Sequence, residues 1–91
     1  MKSFEWNDDK NEKLKSERGI SFEEVVFYIA NGYVLDIVPH PGKNKYPGQK
    51  MFIVNMDDYA YLVPFVESEE IIFLKTIISS RKATKKYLKG W

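Results

Sequence analysis

Cysteine is absent from the 91 residues, and histidine occurs only once, as His40. Without cysteine the chain can form no disulfide, thiolate nucleophile or cysteine-ligated zinc site, and one histidine cannot build a His-rich metal cluster. Long apolar runs are also missing. No stretch approaches the roughly 18 residues that a membrane-spanning helix needs, and the N-terminus lacks the apolar core of a signal peptide. The sequence therefore predicts a cytoplasmic protein without metal–histidine chemistry.

Charge is abundant but unevenly distributed along the chain. Charged residues make up 30% and hydrophobic residues 44% of the sequence, which predicts one soluble domain over residues 1–91. All 13 acidic residues lie in residues 1–80, whereas the last 11 residues carry five cations and no acid. Residues 1–80 carry nine Lys or Arg, so their net charge is −4, whereas the net charge of residues 81–91 is +5. Such a segment suits a polyanion such as nucleic acid, although a solvated helix without a ligand would have the same composition.

Capping signals indicate two helices in the first third of the chain. Asn7 can cap a helix that runs to about Glu17, because Asp8 and Asp9 follow it in the first turn. After Gly19, Ser21 and Glu24 form a capping-box pattern ahead of apolar residues at helical spacing. An Asn-Gly pair at residues 31–32 ends this second helix.

Four apolar segments with the pattern of strands follow, at residues 33–38, 50–56, 59–66 and 71–78. The turns after the second and third segments are too short for parallel crossovers, so the four strands should be antiparallel. The long Pro- and Gly-containing loop at 39–49 is a candidate functional loop. A basic helix at 81–89 closes the chain. The order predicts an α+β domain with its helices packed on one face of a four-stranded antiparallel sheet.

No signature of a common catalytic site occurs in the sequence. A Gly-rich phosphate loop, a serine nucleophile elbow and a metal-binding His pair are all absent. The basic and aromatic side chains that are present suit RNA, whose 2′-hydroxyl is a built-in nucleophile. An enzyme then needs to remove that proton, stabilise the charge on phosphorus and protonate the leaving 5′-oxygen, and this requires no metal or other cofactor.

Three stretches of the chain resemble the BrnT family of type II toxin–antitoxin ribonucleases. FEWNDDK at residues 4–10 is similar to the family's F-E-W-D-x-x-K start. RGISFEEV at 18–25 is similar to its H-G-V-S-F-E-E-A segment, and IISSRKATKK at 77–86 to its I-I-S-A-R-R-A-T-R-R ending. The resemblance covers almost the whole chain and is carried by the three stretches together.

The resemblance implies a RelE-like fold and a metal-independent endoribonuclease that blocks translation. It also implies neutralisation by a cognate antitoxin with a ribbon-helix-helix DNA-binding part. Two positions depart from the family pattern. The family's His before Gly is Arg18, and the basic residue expected before Ile-Ile-Ser is Thr76, with Lys75 one position away. Because arginine stays protonated, Arg18 cannot act as a general base.

Candidate site residues follow from this resemblance and from side-chain charge. Three cations that would hold phosphate or stabilise charge on phosphorus form the predicted catalytic set, with the first as the leading candidate: Arg81, Lys10 and Arg18. Four lysines are predicted to contact RNA: Lys82, Lys85, Lys43 and Lys45. Two side chains that can exchange a proton are candidate acids or bases: His40 and Tyr87.

Each of these residues also has a structural interpretation. Arg81 can simply begin a solvated helix, Lys10 can pair with a nearby acid, and Arg18 suits the negative end of a helix dipole. His40 can be an ordinary loop residue, and the ring of Tyr87 can belong to the core. The alternative function is accordingly a non-catalytic module that binds nucleic acid or protein through the basic C-terminal helix.

Overall fold

The computed structural model describes residues 2–42, 44–45 and 47–89, and this part of the chain contains six strands and three helical segments. The elements are β1 (Ser3–Trp6), α1 (Asp8–Arg18), α2 (Phe22–Ala30), β2 (Val34–Pro39), β3 (Lys50–Met56), β4 (Tyr59–Glu67), β5 (Ile71–Leu74), β6 (Ile78–Ser79) and α3 (Arg81–Thr84), which continues into a π-helical segment, Lys85–Lys89. Within the described part of the chain, no helix is long and apolar enough to cross a membrane. The α+β class is thus as predicted.

Both N-terminal helices begin where their capping residues indicated. The Asn7 side chain accepts a hydrogen bond of 2.9 Å from the Lys10 amide at the start of α1. This helix ends at Gly19, whose φ of 67° lies in the left-handed region that glycine adopts without strain. The Ser21 hydroxyl accepts a 3.2 Å bond from the Glu24 amide and caps α2. These local predictions are confirmed because caps depend on neighbouring residues only.

The sheet is mixed and has six strands. The four predicted strands pair antiparallel as expected, in β2–β3, β3–β4 and β4–β5, but the prediction missed β1 and the division of the last strand into β5 and β6. The strand order is β1-β5-β4-β3-β2, and β6 also pairs with β4. The added strand β1 pairs in parallel with β5, which places Phe4 opposite Ile72 and Trp6 opposite Leu74. A strand of four residues next to a helix cap has little local signal, and its pairing depends on a partner far along the chain.

The predicted fourth strand is interrupted, and Pro64 explains the interruption. β5 pairs with the end of β4 and β6 with its beginning, while residues 75–77 between them are not in a strand. The Lys75 amide donates a 2.8 Å bond to the Pro64 carbonyl. Proline has no N–H, so Pro64 cannot return the second bond of an antiparallel pair, and the ladder breaks there.

Helices cover both faces of the sheet, which corrects the expectation of helices on one face. On the first face, α1 and α2 contribute buried Leu14, Phe22 and Val25 to a core with β3, β4 and β5. On the second face, Ala83 of α3 packs with Ile53 and Ala60. Residues 51–54 of β3 are all buried because side chains alternate between two covered faces.

The C-terminal basic helix begins at the predicted residue but is not a regular α-helix. Ser80 caps it, its hydroxyl accepting a 3.1 Å bond from the Ala83 amide, and only α3 is α-helical before the π-helical segment. Thr84 joins α3 to the sheet, because its hydroxyl accepts a 2.9 Å bond from the buried Ala60 amide. The lysines of this helix are therefore presented on the second face by a helix bonded directly to β4.

Candidate functional site

A cleft of about 240 Å³ opens on the first face, between the end of α1 and strands β4 and β6. Its lining residues, which define the Arg18 cleft, are Arg18, Ile20, Tyr61 and Ser79. Arg18 is the last residue of α1, and Tyr61 and Ser79 are directly opposite each other in the antiparallel β4–β6 pair. Residues about 60 positions apart in the sequence thus meet at one surface depression.

The guanidinium of Arg18 is held in place by the main chain. Its Nη1 donates a hydrogen bond of 3.2 Å to the carbonyl oxygen of the buried residue Ile77. A guanidinium has about five N–H donors in a planar fork, so most remain available for a ligand. The group is otherwise exposed at the end of α1, where a cation is favoured by the helix dipole. It is suited to hold an anion such as phosphate.

Tyr61, which the sequence analysis missed, also lines the cleft. Its half-buried ring lies edge-on to Tyr59, with the ring centroids 5.8 Å apart. The two tyrosines are two residues apart on β4 and therefore share a face of the sheet. That alternation is visible in the sequence, but only the pairing of Tyr61 with Ser79 shows that this face meets Arg18.

Of the three predicted catalytic cations, Arg18 is the one that lines the cleft. Arg81 is exposed at the first turn of α3, two residues after Ser79, and is not among the described residues that line it. Lys10 lies at the other end of α1. Eight residues at about 1.5 Å each separate it from Arg18 by about 12 Å along the helix axis. The structure does not bring the three cations together.

A second depression, on the opposite face, contains one of the predicted RNA-contacting lysines. This groove of about 400 Å³ lies between the C-terminal helix and the β2–β3–β4 part of the sheet, and Lys82, Lys86 and Tyr87 line it. Lys85 is exposed on the same helix and is outside the described groove lining. Lys45 is exposed in the 39–49 loop, and the prediction for Lys43 falls outside the described residues.

The two candidate proton-exchanging side chains are both hydrogen-bonded. Nδ1 of His40 accepts a 3.0 Å bond from the Gly42 amide, so a proton on the neutral ring sits on Nε2. The Tyr87 hydroxyl donates a 2.8 Å bond to Oδ2 of Asp36. This bond raises the pKa of Tyr87, and burial acts in the same direction. Neither His40 nor Tyr87 is among the residues that line the Arg18 cleft.

No group of three His, Asp or Glu side chains placed to hold a metal ion occurs among residues 2–42, 44–45 and 47–89. The side chains of the Arg18 cleft include a guanidinium cation, which attracts an anion such as phosphate, and two residues that carry hydroxyl groups. The arrangement can therefore orient a phosphate and supply a proton through a phenol.

Comparison with known proteins adds no relative to this description. No family model matches the chain, and neither a curated protein nor a solved structure matches it. A functional conclusion thus depends on the cleft itself and on the three sequence segments that resemble one toxin family.

Proposed function

We propose that the protein is a BrnT-like toxin of RelE-like fold that cleaves RNA without a metal in the cytoplasm and so inhibits translation. One observation carries the proposal. Arg18 and Ser79 come from two of the three resembling segments, and they line the same cleft together with Tyr61. In a toxin–antitoxin pair, the cognate antitoxin would be a ribbon-helix-helix protein that neutralises this activity.

The size and charge of the cleft favour one nucleotide unit of a polymer as the ligand. About 240 Å³ is below the roughly 300 to 1,000 Å³ of typical small-molecule sites. The depression therefore suits a phosphate with its flanking ribose better than a complete cofactor. Arg18 would bind the non-bridging oxygens of that phosphate, because a planar guanidinium matches two oxygens at once.

RNA cleavage at this site needs only groups that the cleft or the solvent provides. The 2′-oxygen forms a bond to phosphorus while its proton passes to water, and Arg18 stabilises the added negative charge on the phosphorane. The bond from phosphorus to the 5′-oxygen then breaks, and the Tyr61 hydroxyl gives its proton to that oxygen. The products are a 2′,3′-cyclic phosphate and a free 5′-hydroxyl, and the tyrosinate regains a proton from water.

The exposed lysines of the C-terminal helix would hold the rest of the RNA. Lys82 and Lys85 can each neutralise a backbone phosphate and release counterions, so RNA affinity should decrease as salt concentration rises. Such contacts carry no sequence information. They supply affinity, whereas the Arg18 cleft would supply the chemistry.

Incubating the purified protein with end-labelled RNA and EDTA tests the proposal, with Tyr61→Phe as the decisive variant. The change removes only the hydroxyl, so we expect cleavage to fall strongly while RNA binding persists. Tyr59→Phe is the matched control, since Tyr59 is on the same strand and face but outside the described cleft lining. Uncut RNA with the unaltered protein, or equal activity of the two variants, would overturn the proposal.

The second candidate function is a non-catalytic binding module. It is favoured by the position of Lys82 and Lys86, which line a groove on the face opposite the Arg18 cleft. Binding of RNA without cleavage, weakened by Lys82→Ala combined with Lys86→Ala but not by Arg18→Ala, would support this alternative.

A further inference from the structure

We propose that the groove on the second face is a docking site for an acidic, amphipathic segment of a partner protein. The groove is defined by an apolar floor and a basic rim: Val38, Met51, Ile53, Leu62, Lys82 and Lys86. Its place on the second face follows from the strand register, because Ile53 pairs with Leu62, whereas Tyr61 of the Arg18 cleft pairs with Val54. The groove and the cleft are thus on opposite sides of β4.

The floor of the groove is suited to aliphatic side chains of a ligand. Met51 and Ile53 come from β3 and Leu62 from β4, and Pro39 and Pro41 extend the apolar lining at the end of β2. Half-buried Leu62 and Val38 retain exposed apolar area that no described element covers. Covering this area removes apolar surface from water, which makes an apolar segment a favourable occupant.

The rim of the groove determines the charge of the occupant. Lys82 and Lys86 are four residues apart on the C-terminal helix, both are exposed, and both line the groove. None of the described lining residues is acidic. The nearby carboxylate of Asp36 already accepts the hydrogen bond of Tyr87. Carboxylates beside apolar side chains would therefore complement this surface in charge as well as in polarity.

The apolar floor of the groove fits a protein segment better than RNA bases, and a segment docked there would compete with RNA phosphates for Lys82. Unpaired bases bind through stacking on aromatic rings, and the described lining contains one ring, that of Tyr87, against several aliphatic side chains. Alternating apolar and acidic residues of a helix or strand would place both kinds of contact along the groove. The inference does not require RNA cleavage, and its test measures peptide binding alone.

Selection of random 16-residue peptides displayed on phage against the immobilised full chain is the first experiment. We expect the enriched peptides to combine net negative charge with apolar residues at helical or alternating spacing. The affinity of an enriched peptide, measured by fluorescence anisotropy, should fall about tenfold or more when Lys82→Glu and Lys86→Glu are combined. Lys85→Glu combined with Lys89→Glu makes the same charge change on exposed residues outside the described lining and should have a much smaller effect.

A variant at the loop side of the groove tests the site independently of the helix. Pro41 is exposed and lines the groove, so Pro41→Glu adds a repelling carboxylate without disturbing the core and should also weaken peptide binding. Melting curves confirm that each variant is folded. The inference is overturned if no peptide is enriched, if enriched peptides are not acidic, or if both lysine pairs matter equally. It is also overturned if the binding of single-stranded RNA, and not of any peptide, depends selectively on Lys82 and Lys86.

Discussion

The hydroxyl of Tyr87 donates a hydrogen bond of 2.8 Å to Oδ2 of Asp36 and thereby joins the C-terminal helix to the edge strand β2. This bond is the largest cause that lowers the pKa of Asp36, followed by the Ile37 amide, and the charge of Lys86 adds to it. The same bond raises the pKa of Tyr87. The pair connects two exposed elements at the border of the groove, so its loss should loosen the helix without emptying the core.

Replacing Tyr87 with Phe should therefore raise the pKa of Asp36 toward its ordinary range, because the largest cause of its lowering is removed. The rise should be incomplete, since the Ile37 amide and the charge of Lys86 still lower this pKa. A lowered carboxyl pKa stabilises the fold above the unfolded pKa of that carboxyl, and this contribution disappears as pH falls through the folded pKa. The raised pKa of Tyr87 stabilises the fold below the unfolded phenol pKa and is lost as pH rises through the folded value. Titration of the Asp36 carboxyl by NMR in both proteins measures the change.

A control for this titration is Tyr33→Phe, which removes a hydroxyl from an exposed tyrosine outside this contact. The pKa of Asp36 should not respond to it. Hydrogen exchange of the amides at 85–89 should become faster in Tyr87→Phe only. An unchanged Asp36 titration in Tyr87→Phe would show that the two side chains do not interact in solution.

Replacing Asn11 with Ala should destabilise the fold by about 1 to 3 kcal/mol, because the amide of buried Phe22 would lose its acceptor. Asn11 is 3% exposed, and its Oδ1 accepts a 2.8 Å bond from that amide while its Nδ2 donates to Glu23. The side chain thus connects α1 to the start of α2. Urea unfolding measures the loss, and Lys13→Ala, at an exposed position of α1, is the control. Equal stability of the two variants would contradict the assignment.

Replacing Thr84 with Val should cost about 1 to 3 kcal/mol even though the side-chain volume is nearly unchanged. Its hydroxyl accepts from the Ala60 amide at 2.9 Å and donates to the Ser80 carbonyl at 2.7 Å. Both Thr84 and Ala60 are buried, so water cannot replace the lost partner. Thermal unfolding should show a lower melting temperature for Thr84→Val, whereas Thr84→Ser keeps the hydroxyl and should lose less. A Thr84→Val protein as stable as the original would refute this role.

Arg18→Lys should reduce RNA cleavage by about 10²-fold, comparable to the loss of one transition-state donor, while the protein stays folded. Lysine keeps the charge but not the planar fork that can bond Ile77 and a phosphate together. Arg81→Lys is the informative comparison, since Arg81 is exposed outside the described cleft lining and its variant should cleave at nearly the original rate. Single-turnover rates on a labelled RNA distinguish the two. A greater loss in Arg81→Lys would move the catalytic centre to α3.

Local sequence determined the starts of the helices and the approximate extents of β3 and β4. Asn7 and Ser21 each cap a helix through the amide three residues on, so no distant contact was needed to recognise them. The apolar segments at 50–56 and 59–66 predicted β3 and β4 because an alternating or continuous apolar pattern is visible within each segment. For the site, sequence alone indicated Arg18 and the lysines by charge, but it ranked Arg81 above Arg18.

Tertiary structure alone decided the parallel pairing of β1, the two covered faces and the composition of the Arg18 cleft. β1 is a strand because a distant partner, β5, supplies its hydrogen bonds. The last strand is divided because residues 75–77 lie beside Pro64 of β4, which has no N–H to donate to them. Tyr61 joins Arg18 because the β4–β6 register turns it toward the end of α1. Pairing register and packing arise between residues far apart in the chain, so they leave no periodic signal within any one segment.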